Sequence, residues 1–123
     1  MSNDCKISRW QILKGQLNNL TPEEFKEAVE NSTASKVIDC RKPEEFTCNR
    51  LYNAVNLDYL GDGFPDRLEN LDKEAAYFVY CRSGRRSLRT CILLKNSGFE
   101  NVFNLDGGLN AWEVVFPGTD INA

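Results

Sequence analysis

Cys81 stands between a short apolar run, Ala75-Ala76-Tyr77-Phe78-Val79-Tyr80, and a segment of helical spacing, Ser87-Leu88-Arg89-Thr90-Cys91-Ile92-Leu93-Leu94-Lys95. The residues that follow it, Arg82-Ser83-Gly84-Arg85-Arg86-Ser87, are small or cationic. A thiol placed where a strand ends and a helix begins faces backbone N–H groups and the positive end of the helix dipole. Both favour thiolate over thiol, and the thiolate is the nucleophile. The pattern predicts a reactive cysteine working on a small sulfur or oxygen anion. The plainer alternative is an inert cysteine buried at a strand end. The four arginines among residues 81–90 and the small Ser83 and Gly84 weigh against it.

The chain contains no histidine. That excludes Ser-His-Asp and Cys-His nucleophile pairs, the H-E-x-x-H metal motif and histidine-based acid–base chemistry. Activation of Cys81 must then come from dipoles and Arg charge. The five cysteines are Cys5, Cys40, Cys48, Cys81 and Cys91. They contain no C-x-x-C pair, so zinc-ribbon and thioredoxin-type readings fail, and no metal site is expected. Cys5, Cys40, Cys48 and Cys91 read as ordinary free thiols, which behave as small hydrophobes. Cys48 lies in a loop region where a resolving thiol could sit, with nothing further to support that role.

A net charge of −3 argues against a general nucleic-acid binder. The charge is uneven, because residues 81–90 carry four Arg and no acid. A local cationic pocket in an otherwise acidic chain suits a small anion better than a polyanion. At 123 residues the chain fits one domain with a real core. The longest apolar run, about Ala75 to Cys81, is far too short to span a bilayer. Met1-Ser2-Asn3-Asp4-Cys5-Lys6 is not followed by the apolar stretch of a signal peptide. A cytoplasmic, reduced protein without membrane or nucleic-acid partners is the expectation.

Trp10, Leu13 and Leu17 lie at helical spacing, so residues 1–18 read as a helical N-terminal extension. Residues 19–118 read as the domain and 119–123 as a frayed tail. Thr21-Pro22-Glu23-Glu24 predicts a helix start, with Thr21 as N-cap and Glu24 at capping-box spacing. Phe25, Ala28 and Val29 would form its buried face. Strands are expected over Lys36–Cys40, Ala54–Leu57, Ala76–Tyr80 and Asn101–Leu105. Helices are expected from Pro43, over Asp66–Leu71, from about Arg85 to a stop at Gly98, and around Leu109 and Trp112. Asp58–Pro65 reads as a loop, where Tyr59 and Phe64 could line a pocket mouth or pack in the core. Strands alternating with helices predict an α/β fold with a parallel sheet covered on both faces. Ligands bind such sheets beyond the carboxyl ends of the strands. Cys81 occupies one such end, and Asp39 and Arg41 another.

Arg86 follows Cys81 at C-x4-R spacing, whereas a tyrosine-phosphatase-like loop is C-x5-R and would need Arg where Ser87 stands. The shorter ring leaves less room for a tetrahedral phosphate and suits one extra sulfur atom held by converging N–H groups. Four stretches then resemble the single-domain rhodaneses, the thiosulfate sulfurtransferase family. Val37-Ile38-Asp39-Cys40-Arg41-Lys42-Pro43-Glu44-Glu45-Phe46 is similar to V-I-D-V-R-x-P-x-E-F, and Ala54-Val55-Asn56-Leu57 to A-I-N-I. Cys81-Arg82-Ser83-Gly84-Arg85-Arg86-Ser87 is similar to C-R-x-G-x-R-S, and Gly107-Gly108-Leu109-Asn110-Ala111-Trp112 to G-G-x-x-x-W.

The resemblance implies a five-stranded parallel sheet with helices on both faces. It also implies a Cys81 persulfide formed from thiosulfate or a related anionic sulfur donor and passed to a thiol or cyanide-like acceptor. No separate cofactor is implied. Arg82, Ser83, Gly84, Arg85, Arg86 and Ser87 would bind the substrate. Backbone amides from Arg82 to Ser87 would stabilise the persulfide. Arg82 and Arg85 would steer the donor or simply carry surface charge. Arg86 would brace the loop toward Asp39, and Asp39 and Arg41 would brace the loop as well. Ser87 would cap the helix or bond to the sulfur. Arg89 reads as a solvated helix residue. The family's G-H-I-P-G segment is replaced here by Asn49-Arg50-Leu51-Tyr52-Asn53. Two further readings share the loop: a persulfide carrier or interaction module serving a partner protein, and a phosphatase or arsenate reductase, which the short ring disfavours.

Overall fold

The computed structural model describes residues 15, 17–32 and 35–117. The expected helix through Trp10 and Leu13 and the expected tail lie outside them; of that helix's apolar positions, only Leu17 is described, packed against the core. Five parallel strands form one sheet in the order β1-β5-β4-β2-β3. They are β1 (Asn18–Leu20), β2 (Ser35–Asp39), β3 (Ala54–Asn56), β4 (Ala76–Tyr80) and β5 (Val102–Leu105). The helices are α1 (Pro22–Glu30), α2 (Pro43–Cys48), α3 (Phe64–Glu69), α4 (Arg85–Asn96) and α5 (Gly108–Val115).

Side chains alternate across a strand, so β4 feeds two apolar layers. Tyr77 and Val79 join Ile38, Phe64, Leu68, Leu94 and Phe99 on the α3 and α4 side. Phe78 and Tyr80 join Phe25, Val37, Leu105, Leu109 and Trp112 on the α1 and α5 side. Burial on both faces is why these strands read as unbroken apolar runs. Cys40, Cys81 and Cys91 all fall in the first layer.

Local chemistry sets the ends of the elements. Thr21 accepts from the Glu24 amide at 3.1 Å, and the Glu24 carboxylate accepts from the Thr21 amide at 2.9 Å, completing the expected capping box. β1 is an element the residue pattern does not predict, since Asn18 and Asn19 have poor strand propensity. It forms at the sheet edge by pairing Asn18, Asn19 and Leu20 with Phe103, Asn104 and Leu105. It also begins inside the expected N-terminal extension. α3 begins at Phe64, two residues before the expected start, because the first turn tolerates Pro65. Phe64 is thereby buried, and its ring meets Tyr59 edge-on at 5.8 Å. Where the family segment ends in glycine, Asn53 takes a φ of 63°. Asparagine is one of the few other residues that visit this left-handed region readily. No helix among the described residues is long and apolar enough to cross a membrane.

Candidate active site

β4 delivers Cys81 to the carboxyl edge of the sheet, and α4 starts four residues later. Gly84 makes the turn between them with a φ of 100°, a backbone conformation that side chains with a Cβ rarely adopt. The turn aims two amides at the Cys81 sulfur: Gly84 N–H at 3.0 Å and Ser87 N–H at 3.3 Å. The Ser87 hydroxyl lies 3.5 Å from the same sulfur and 3.2 Å from the Gly84 carbonyl. Ser87 therefore serves both the first turn of α4 and the thiol. Cys81, Ser87 and Cys40 are fully buried.

The Cys81 pKa falls to about 5. The Cys40 thiol, as a hydrogen-bond donor, is the largest cause; burial opposes the shift, and the Ser87 hydroxyl and the Ser87 and Gly84 amides add to it. Cys40 shifts the other way, well above an ordinary thiol, because it is buried and lies beside Cys81. Burial also raises Cys91. One thiolate among buried thiols is the expected product of fixed donors focused on one atom. Thiolate-dependent turnover should be level through neutral pH and fall as acid protonates Cys81 near about 5. In Cys40→Ala the acid limb of the pH–kcat/KM profile should move up. An unmoved limb would show that Cys40 does not support the thiolate.

Arg86 is held away from Asp39. It forms a two-point pair with Glu45 of α2, Nη1 to Oε1 at 2.8 Å and Nη2 to Oε2 at 3.2 Å. The hydrogen bond from Arg86 keeps the Glu45 carboxyl down at about 2, against partial burial. Arg86 thus braces α4 against α2. Arg82 pairs with Glu113 of α5 at 3.2 Å, while Ser83 and Arg85 are exposed at the loop's outer face.

Asp39 is claimed instead by its own neighbours. Arg41 donates to it through Nε at 3.0 and 3.1 Å, through Nη2 at 2.8 Å and through its backbone amide at 2.9 Å. The Tyr80 hydroxyl adds a fourth donor group at 2.7 Å. The same hydroxyl accepts from the Leu51 amide at 3.0 Å, and Arg41 Nη2 donates to the Asn49 carbonyl at 2.6 Å. This buried network ties the carboxyl end of β2, the residue before Cys81 and the segment after α2 into one unit.

The loop's carbonyls are held from the opposite side. The Leu109 amide donates to the Cys81 carbonyl at 2.9 Å and the Asn110 amide to the Arg82 carbonyl at 3.0 Å. The start of α5 must approach closely for this. A Cβ on Gly108 would fall 2.4 Å from the Cys81 oxygen and 2.7 Å from the Arg82 oxygen. Gly108→Ala should therefore displace the loop and lower kcat/KM about a hundredfold, the scale expected when reacting groups move by an ångström. Wild-type kinetics in that variant would refute the clamp.

The structure thus brings Cys81, Gly84 and Ser87 to one point. It places Arg82 and Arg86 in ion pairs beside that point and makes Asp39–Arg41 a buried support. Cys40, Glu45 and Glu113 are additions to the residues singled out from sequence. Cys40 could have been recognised as the residue that follows β2 just as Cys81 follows β4. The two Glu residues carried no spacing signal toward the loop.

The architecture and the cysteine loop define the class. Residues 21–114 match the Rhodanese-like domain family, and the chain belongs to it. Among known sequences, YtwF of Bacillus subtilis is 36% identical over 80% of this chain and 92% of its own length. A protein of Pseudomonas entomophila named thiosulfate sulfurtransferase GlpE is 32% identical over 67% of this chain and 73% of its own. Among solved structures, the rhodanese-like domain protein of Staphylococcus aureus superposes with a TM-score of 0.69 at 28% identity, covering 78% of this chain and 91% of that one. The reduced CoADR-RHD of Bacillus anthracis gives a TM-score of 0.76 at 26% identity, covering 89% of this chain and 19% of that longer one.

Proposed function

We propose that this protein is a sulfurtransferase in which Cys81 carries the transferred atom. The observation that carries the reading is a buried sulfur receiving two amide N–H groups at 3.0 and 3.3 Å with a hydroxyl at 3.5 Å. The Cys81 thiolate attacks the outer sulfur of thiosulfate or a related anion. The donor's S–S bond breaks, and its electron pair leaves with sulfite. Cys81 is then a persulfide, whose negative outer sulfur is stabilised by amides of the 82–87 loop as an oxyanion is in an oxyanion hole. A thiolate or cyanide attacks that outer sulfur and returns Cys81 to its starting state, which is covalent double displacement. The persulfide is the only carrier the cycle needs, and free thiols of this kind suit the reducing cytoplasm. The relatives from Pseudomonas entomophila, named as a thiosulfate sulfurtransferase, and from Allochromatium vinosum, named as a sulfurtransferase, support the reading. A protein donor or acceptor would use the same loop, whose exposed Ser83 and Arg85 face outward.

Intact-mass analysis before and after thiosulfate, then after cyanide, tests it. The expected result is a gain of one sulfur atom with release of sulfite, reversed by cyanide with formation of thiocyanate. Failure to gain sulfur from both thiosulfate and a polysulfide would end the proposal.

A further inference from the structure

Cys40 is a buried thiol that carries no sulfur in the cycle above, yet the fold sets it against the thiol that does. Asp39 of β2 is in register with Tyr80 of β4. The ladder runs one step further, because the Cys40 amide donates to the Tyr80 carbonyl at 3.1 Å. Cys40 and Cys81 therefore leave adjacent parallel strands side by side, at a strand spacing of about 4.8 Å. A disulfide spans Cα separations of about 4.4–6.8 Å, so the two are within bridging range. Both side chains point into the same apolar layer, and neither is exposed. The Cys40 thiol donates to the Tyr80 carbonyl at 3.4 Å.

We propose that Cys40 is a resolving thiol: it attacks the inner sulfur of the Cys81 persulfide, closes a Cys40–Cys81 disulfide and expels the outer sulfur as hydrosulfide. The step rests on the persulfide reading above. A bond forms between the two cysteine sulfurs, and the bond between the Cys81 sulfur and the outer sulfur breaks. The electron pair of the broken bond goes with the outer sulfur, which also takes the Cys40 proton. The two cysteines are oxidised together, the sulfane sulfur is reduced to hydrosulfide, and no outside oxidant enters. Cys40 reaches the inner sulfur from the neighbouring strand, whereas the Gly84 and Ser87 amides reach it from the loop. Burial keeps Cys40 protonated, so the step is slow and shows itself when a donor is present and an acceptor is not. Two thiol equivalents supplied later restore both cysteines: the first forms a mixed disulfide with one of them, and the second releases it as the thiols' own disulfide. The pair thereby acts as a fuse, which stops a loaded site that has no acceptor and releases sulfide once per chain.

The test is anaerobic incubation of the reduced protein with thiosulfate and no acceptor. Sulfite and sulfide are measured, followed by acid quench, alkylation and mass analysis. The expected course is an early gain of one sulfur, then conversion to a species lighter than the reduced chain by two hydrogens, with one sulfide released per chain. Trypsin cuts after Lys36, Arg41, Lys73 and Arg82, so the bridge should link the peptides 37–41 and 74–82. In Cys40→Ala the persulfide should persist, and sulfide release should fall at least about tenfold. A wild-type persulfide that stays intact without sulfide release overturns this proposal and leaves sulfur transfer standing. A bridge from Cys81 to Cys91, Cys48 or Cys5 overturns the choice of Cys40. No sulfite, sulfide or mass change at all removes the persulfide reading and this inference with it.

Discussion

Cys81→Ser should show no sulfur gain and lose at least about a thousandfold in thiosulfate-dependent turnover, as expected when the nucleophile of a covalent cycle is removed. Serine is the stringent choice. Its oxygen can accept from the Gly84 and Ser87 amides that now point at sulfur, so the turn keeps its shape and the unfolding midpoint should stay close to wild type. The variant also retains Cys5, Cys40, Cys48 and Cys91, so residual loading would expose thiol chemistry elsewhere in the chain. Steady-state assays of thiocyanate formation and intact-mass spectra decide the matter. Turnover within tenfold of wild type would mean that the buried thiolate is a bystander.

Arg41→Met should cost about 3–5 kcal/mol of stability, the usual effect of removing one partner of a buried ion pair. Arg41 is 1% exposed and Asp39 0%, so the stranded carboxylate has no water to turn to. Three side-chain hydrogen bonds from Arg41 to Asp39 disappear together with the contact to the Asn49 carbonyl. Small domains have only about 5–15 kcal/mol in hand, so the shift in a urea midpoint should be large. Asp39→Asn combined with Arg41→Met should recover part of the loss, because the uncompensated charge is then gone. A midpoint for Arg41→Met within about 1 kcal/mol of wild type would contradict the network's structural role.

Much of the architecture was legible because parallel strands buried on both faces advertise themselves as apolar runs. Val37-Ile38 and Tyr77-Phe78-Val79-Tyr80 are such runs, and they occupy the centre of the sheet. β1 was not legible because its pairing with β5 outweighs the poor propensity of Asn18 and Asn19. The start of α3 lies earlier than the residue pattern suggests because Pro65, a loop signal in sequence, sits in its first turn. Within the site, Cys81, Gly84 and Ser87 were legible because they share one short loop. Sign alone directs Arg86 toward Asp39. The choice between Asp39 and Glu45 depends on how α2 folds back over the sheet edge, and spacing along the chain does not contain that information. Cys40 carries no sequence signal for the same reason, since its place beside Cys81 comes from strand order and not from its neighbours in sequence.

The donors gathered at the Cys81 sulfur have a consequence for the second half of the cycle. A thiolate of low basicity is a weaker attacking group than an ordinary one, yet it is a better leaving group. In the proposed cycle, when an acceptor takes the outer sulfur, Cys81 would depart from the S–S bond into contacts with Gly84 and Ser87 that are already in place. In that cycle the site would give sulfur away more readily than it seizes it. Among acceptors of differing basicity, transfer rates should depend weakly on the acceptor and strongly on the integrity of those two amides.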